Sequence, residues 1–273
     1  MGTKKSILLI GYGAIGATVA SAMGESSNAE ITHVLVKPGR EENARKALGS
    51  SVMPVSDLPL FLQSGQRMDV VAECAGHAAL KEYGSEILSA GIDLFSVSCG
   101  AIADAHLANA LRVAAESGES QLKLLSGAVG GLDALSSGAV GKLEQVRYCG
   151  RKPPRGWSGS AAESIVDLAT VEKPVTHFNG NAGTAAKQYP KNANVAASIA
   201  FAGIGFDDTQ VELIVDPDTN SNVHEIQAQG EFGTFTMRIE GNALEGNPKS
   251  SALAAFSMVR ALRNRYSPIC VGL

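Results

Sequence analysis

Two hydrophobic periodicities divide the chain. In the first half, short apolar runs alternate with stretches whose apolar residues recur at helical spacing. SILLI (6–10) leads into GYGAIG, and Ile15, Val19 and Met23 then mark one face of a helix over 14–23. EITHVLV (30–36), DVVAEC (69–74), DLFSVSC (93–99) and QLKLLSG (121–127) read as further buried strands, with helices over 78–90 and 105–117. This alternation predicts a parallel sheet covered on both faces. Past Gly127 the segments lengthen. A helix over 132–139 precedes KLEQVRYCGRK, VELIVD and NVHEIQAQGEFGTFTMRIEG, which alternate as strands do, and GEFG reads as a hairpin turn. Another helix is expected over 194–202. In the tail, Pro248 and Ser250 stand ahead of Leu253, Phe256 and Leu262, a start signal followed by an amphipathic stripe.

Composition narrows the class. The 273 residues are 45% hydrophobic and 18% charged with a net charge of −4, as in a soluble globular protein of two domains. Nothing in that balance calls for nucleic acid or an anionic membrane as partner. No apolar run approaches the roughly 18 residues of a membrane span. Cys74, Cys99, Cys149 and Cys270 are widely spaced, fitting neither a zinc site nor a disulfide framework, and reduced thiols in a cytoplasmic protein are expected.

GYGAIG places Gly11, Gly13 and Gly16 in the spacing G-x-G-x-x-G, after a strand and at the opening of a helix. The first glycine permits a tight turn, the second lets a pyrophosphate approach the backbone, and the third lets helix and strand pack closely. With Ala14 and Ile15 between them, these residues are expected to hold a dinucleotide against the helix N-terminus. The second strand ends in VLVKPGR, with Lys37 and Arg40 where NAD-selective proteins carry an acid. The expected cofactor is NAD or NADP, and both cations are equally readable as solvated loop charges. The predicted fold is α/β. It has an N-terminal Rossmann dinucleotide-binding domain, residues 1–127 completed by a C-terminal helix 247–273. Residues 128–246 form an α+β catalytic and dimerisation domain with a mostly antiparallel sheet.

Several blocks together resemble the L-aspartate dehydrogenase family: ECAGH (73–77), SVSCGA (96–101), LLSGAVGGLDAL (124–135), GRKPPRGWSGS (150–160), YPKNANVAASIAFAGIGFD (189–207), DPDTNSNVHEI (216–226) and NPKSSALAAFSMVRALRN (247–264). The resemblance runs from the glycine loop to the last helix. It implies an NAD(P)-dependent homodimer that converts L-aspartate to iminoaspartate, which yields oxaloacetate and ammonia, with some members supplying NAD biosynthesis. It also implies that His224 in NVHEI is catalytic and that Ala128 and Asn194 contact the cofactor. The stretch 37–66 varies in the family and leaves NAD or NADP open.

Oxidising an amino acid leaves an iminium that must be hydrolysed, and histidine suits the proton transfers near neutral pH. On a strand, His224, Ile226 and Ala228 share one face, the more apolar one. That alone fits a half-buried structural histidine; the family block favours catalysis. Glu225 points to the opposite face, against a metal role. The two substrate carboxylates need cations or N–H donors. Lys191 and Asn192 stand just before a helix start, and Arg151 and Lys152 are further candidates, with surface charge the competing reading for Lys191 and Arg151. Ala75 and His77 follow a strand end, where parallel sheets bind ligands, and His77 either flanks the nicotinamide or caps a helix. His33, His106 and His177 carry no assigned role.

A homodimer is expected on a second ground. Val146 and Tyr148, and Phe235 and Met237, are apolar positions on strands for which the second half offers few covering helices. The rival readings are another two-domain dehydrogenase, such as dihydrodipicolinate reductase or homoserine dehydrogenase, and a non-catalytic dinucleotide sensor. The paired-histidine H-H-x-x-K type motif of dihydrodipicolinate reductase is missing here, and a sensor has no use for His224 in its whole block.

Overall fold

The computed structural model describes residues 4–24, 28–190, 194–244 and 247–272, and the chain divides into two compact units, Met1–Leu125 with Ala255–Leu273, and Ser126–Ala254. The first unit runs β1 (Lys5–Ile10), α1 (Ala14–Met23), β2 (Ala29–Leu35), α2 (Glu41–Leu48), β3 (Met53–Val55), α3 (Leu58–Gln63), β4 (Val70–Glu73), α4 (His77–Ser89), β5 (Leu94–Ser96), α5 (Ala105–Ser117) and β6 (Leu122–Leu124). All its strands are parallel, in the order β3-β2-β1-β4-β5-β6. Strands sandwiched between helices must be apolar on both faces, and Ile7, Leu8, Leu9, Val70, Val71, Ala72 and Leu94 are fully buried. Strand order reverses between β1 and β4, which opens a crevice beyond their C-terminal ends. The stretch 37–66, to which the periodicity assigned no element, holds α2, β3 and α3. These are eight, three and six residues long, too short to establish a period. α3 announces itself by its cap instead, since Asp57 Oδ1 accepts the Leu60 N–H at 2.9 Å.

The second unit contains α6 (Leu132–Gly138), β7 (Leu143–Lys152), β8 (Val175–Asn181), α7 (Ala182–Gln188), α8 (Asn194–Ala202), β9 (Gln210–Val215), β10 (Asn222–Gly230), β11 (Gly233–Gly241), β12 (Ala243–Leu244) and β13 (Asn247–Ser251). Its five-stranded sheet has the order β11-β10-β7-β9-β8. The expectation of a mostly antiparallel sheet is corrected: the sheet is mixed, with β7 and β9 parallel. Alternation reports which face a residue takes and is silent on strand direction. The connection from β7 to β9 contains β8, α7 and α8, long enough for the crossover a parallel pair requires. The GEFG hairpin forms as expected, with Glu231 and Phe232 between β10 and β11.

The helix expected over 247–273 is shorter. Residues Asn247–Ser251 are strand β13, and the helix α9 (Ala252–Arg265) begins after them, with Ser251 Oγ accepting the Leu253 N–H at 3.2 Å. Met258, Val259 and Leu262 of α9 join Ile7, Leu9, Val19 and Met23 in the core of the first unit. Two of the apolar positions invoked for a dimer are accounted for differently, while Phe235 and Met237 stay half-exposed. Val146 and Tyr148 are buried in their own unit, clustered with Leu135 of α6 and with Val195 and Ile199 of α8. The opposite face of the sheet is exposed and polar, with Gln145, Arg147, Gln227, Gln229, Thr234, Thr236 and Arg238.

Candidate active site

The glycine loop has the geometry its spacing implies. Gly11 takes φ +87°, and a Cβ there would stand 2.6 Å from the Ala75 Cβ, so the loops after β1 and β4 touch. A Cβ on Gly16 would stand 2.1 Å from the Gly11 carbonyl oxygen, which is why helix and strand can meet so closely. Gly13 has nothing within 4 Å of the Cβ it lacks, and it leads into α1 with no side-chain cap. An open backbone surface with uncapped N–H groups at a helix N-terminus fits a pyrophosphate. Ala14 and Ile15 form the first turn of α1.

The β4 end is held by a residue that the apolar pattern conceals. Glu73 is fully buried; its Oε1 accepts the Ala75 and Gly76 N–H groups, both at 2.6 Å, and its Oε2 accepts the Ser96 hydroxyl at 2.6 Å. Ser96 Oγ in turn accepts the Ser98 N–H at 3.0 Å. This chain of bonds fixes the loop that places Ala75 beside Gly11 and starts α4 at His77. Lys37 and Arg40 lie exposed in the turn between β2 and α2, with the Arg40 N–H bonded to the Lys37 carbonyl at 3.0 Å. Neither forms an ion pair among the described residues.

In the second unit, His224 sits on β10 opposite Gly150 of β7 and is buried with Ile226 and Ala228, as the alternation predicts. Its Nδ1 is 2.8 Å from the Tyr148 hydroxyl. Tyr148 reaches it because Gly150 has no side chain: a Cβ there would stand 2.6 Å from the Tyr148 oxygen. The hydroxyl donates to Nδ1 when Nδ1 is bare and accepts from it when protonated, so the pair suits either charge state and leaves Nε2 as the nitrogen for chemistry. Burial pushes the Tyr148 phenol well above its ordinary range, so it keeps its proton. Burial, and then the charge of Lys152, push His224 down to about 3. The neutral ring is therefore the resting form.

Lys152 shares the inward face of β7 with Tyr148 and Gly150, and its ammonium lies 5.1 Å from the centroid of the Trp157 ring. Trp157 is fully buried, donates to the Ile214 carbonyl at 3.0 Å, and meets His177 edge-on at 4.3 Å. His177 is bonded through Nδ1 to the Tyr189 hydroxyl at 3.0 Å and is pushed down to about 4 by burial and then by Lys152. Arg151, on the other face of β7, pairs with the buried Asp216 at 2.8 Å. Ala128 packs against the core of this unit, and Asn194 opens α8. Lys191 and Asn192 lie outside the described residues.

Two family models meet near the boundary between the units, and the second runs on into α9. A family model described as the NAD-binding domain of homoserine dehydrogenase matches residues 11–124, and one described as the C-terminal domain of aspartate dehydrogenase matches residues 133–265. An L-aspartate dehydrogenase of Ruegeria pomeroyi is 49% identical over 269 residues, which span 98% of this chain and 95% of the relative. The chain belongs to the L-aspartate dehydrogenase family. The L-aspartate dehydrogenase of Pseudomonas aeruginosa is 43% identical over 266 residues, covering 97% of this chain and 99% of the relative. The crystal structure of the aspartate dehydrogenase from Thermotoga maritima superposes with a TM-score of 0.77 at 26% identity, covering 99% of this chain and 100% of the other.

As an L-aspartate dehydrogenase family member, the chain carries a Rossmann NAD-binding domain in its first unit, and the family's C-terminal domain spans the second unit and α9. No helix among the described residues is long and apolar enough to cross a membrane. Sequence reasoning passed over Tyr148, Glu73 and the Trp157–His177–Tyr189 cluster. The available signals were the alternation of Tyr148, Gly150 and Lys152 along one strand face, and a lone acid closing the apolar run VVAE.

Proposed function

We propose that this chain oxidises L-aspartate to iminoaspartate, which goes on to oxaloacetate and ammonia, and that it runs the reverse amination as well. The observation that carries the reading is His224, buried and tied to Tyr148 within a chain of this family. NAD or NADP bound at the glycine loop supplies the hydride acceptor. His224 Nε2 takes and returns protons as water adds to the iminium carbon and the carbinolamine expels ammonia. Ala128 and Asn194 contact the cofactor, and Lys191 and Asn192 take part in substrate binding. Absorbance at 340 nm, with L-aspartate and each cofactor in turn, tests this; no reduction of either cofactor overturns it.

NADP is expected to serve at least as well as NAD. Lys37 and Arg40 are exposed cations without acidic partners among the described residues, where a carboxylate would repel a 2′-phosphate. Lys37→Ala and Arg40→Ala should each lower kcat/KM for NADP by about 3- to 10-fold and leave NAD nearly unchanged. A parent enzyme that uses NADP very poorly would show this reading of the turn to be wrong.

The homodimer is proposed on altered grounds. With Val146 and Tyr148 buried in their own unit, the open polar face of the mixed sheet is the surface a second copy would cover. Light scattering at micromolar concentration decides it, and a mass of one 28.2 kDa chain rejects it.

A further inference from the structure

Lys152 is a cation in need of a partner. It is half-buried at the end of β7, and burial pushes its ammonium down to about 8. No carboxylate among the described residues pairs with it. The nearby acid, Asp216, is engaged by Arg151 on the opposite face of the strand. Beside it stand one aromatic ring and two basic ones. The Trp157 ring lies 5.1 Å away, and His224 and His177 are both close enough for its charge to disfavour their protonation. His177 Nε2 is buried with no hydrogen-bond partner. Because Gly150 pairs with His224, Lys152 is the diagonal cross-strand neighbour of that histidine, about 7–8 Å away along the backbone and within reach of a lysine side chain. Removing a charge from water is costly unless an opposite charge meets it. An anion held between this ammonium and the histidine ring would satisfy both.

We propose that Lys152 binds a carboxylate of the dicarboxylic substrate, holding the reacting carbon against His224. The inference rests on the aspartate reading above. It explains the use of a lysine where a neutral side chain would pack with less cost. It also gives the substrate a part in preparing the catalyst: a carboxylate on Lys152 cancels the charge that opposes protonation of His224, so proton transfer becomes easier once substrate is bound.

The test compares the parent with Lys152→Met, which keeps the length of the stem, and Lys152→Arg, which keeps the charge. Succinate, a dicarboxylate without the amino group, is titrated calorimetrically with cofactor present, and KM, kcat and cofactor Kd are measured alongside. For Lys152→Met, KM for L-aspartate and Kd for succinate should rise by about 10- to 100-fold, with cofactor Kd within about twofold and an unchanged melting profile. Lys152→Arg should recover part of the loss. A parent that turns over L-aspartate, beside a folded Lys152→Met with unchanged KM, overturns the inference. A parent that binds succinate through Lys152 yet leaves L-aspartate unreacted overturns the aspartate reading alone. A parent that does neither overturns both.

Discussion

Replacing His224 by alanine should lower kcat by about 10²- to 10⁴-fold while cofactor affinity stays within about twofold. The expected size is that of losing a positioned acid–base group. His224 is neutral at rest, fixed through Nδ1 by Tyr148, and set on a strand whose burial keeps the ring from turning. Without it, water must move every proton in the hydrolysis of the iminium. The glycine loop belongs to the other unit, so cofactor binding should persist. Steady-state kinetics beside a cofactor titration decide the matter, with a melting curve to confirm folding. A kcat close to that of the parent would show that the histidine only fills space.

The second large effect is expected at the glycine loop, where two substitutions of one methyl group should fail differently. In Gly16→Ala the new carbon would meet a backbone oxygen, which cannot rotate away as a side-chain tip can. Either α1 or the Gly11 turn must shift. Overpacking of this kind costs about 1–3 kcal/mol, and the displaced turn should lose cofactor affinity by about 100-fold. In Gly13→Ala the methyl enters open space and φ is an ordinary −88°, so the melting temperature should hold. It would occupy the surface the pyrophosphate approaches, so affinity should fall all the same. Melting curves and cofactor titrations of both variants check this. Parent-like affinity in Gly13→Ala would mean that the phosphates lie elsewhere.

These two sites differ in how far the sequence disclosed them. The glycine loop is local: its residues are adjacent in the chain and their spacing states their roles. The buried face of His224 is also local, since alternation along NVHEIQA is enough to find it. The partner of His224 is not, because Tyr148 lies 76 residues away and meets it only through the register of β7 with β10. No periodicity encodes a register. The same is true of the parallel pairing of β7 with β9, and of Trp157, His177 and Tyr189, which converge from three separate segments. Lys152 was visible as a cation but not as an unpaired one. That distinction depends on Asp216 being committed to Arg151 across the strand.

The return of α9 to the first unit orders events during synthesis. The unit spanning Ser126–Ala254 is one continuous stretch and can complete its core as soon as that stretch has left the ribosome. The cofactor-binding unit begins to emerge earlier, yet Met258, Val259 and Leu262 of its core follow the whole of the second unit in the chain. Its parallel sheet must wait, with one part of its core open, until the second unit and α9 have been made. The unit with the glycine loop thus starts before the other and closes after it.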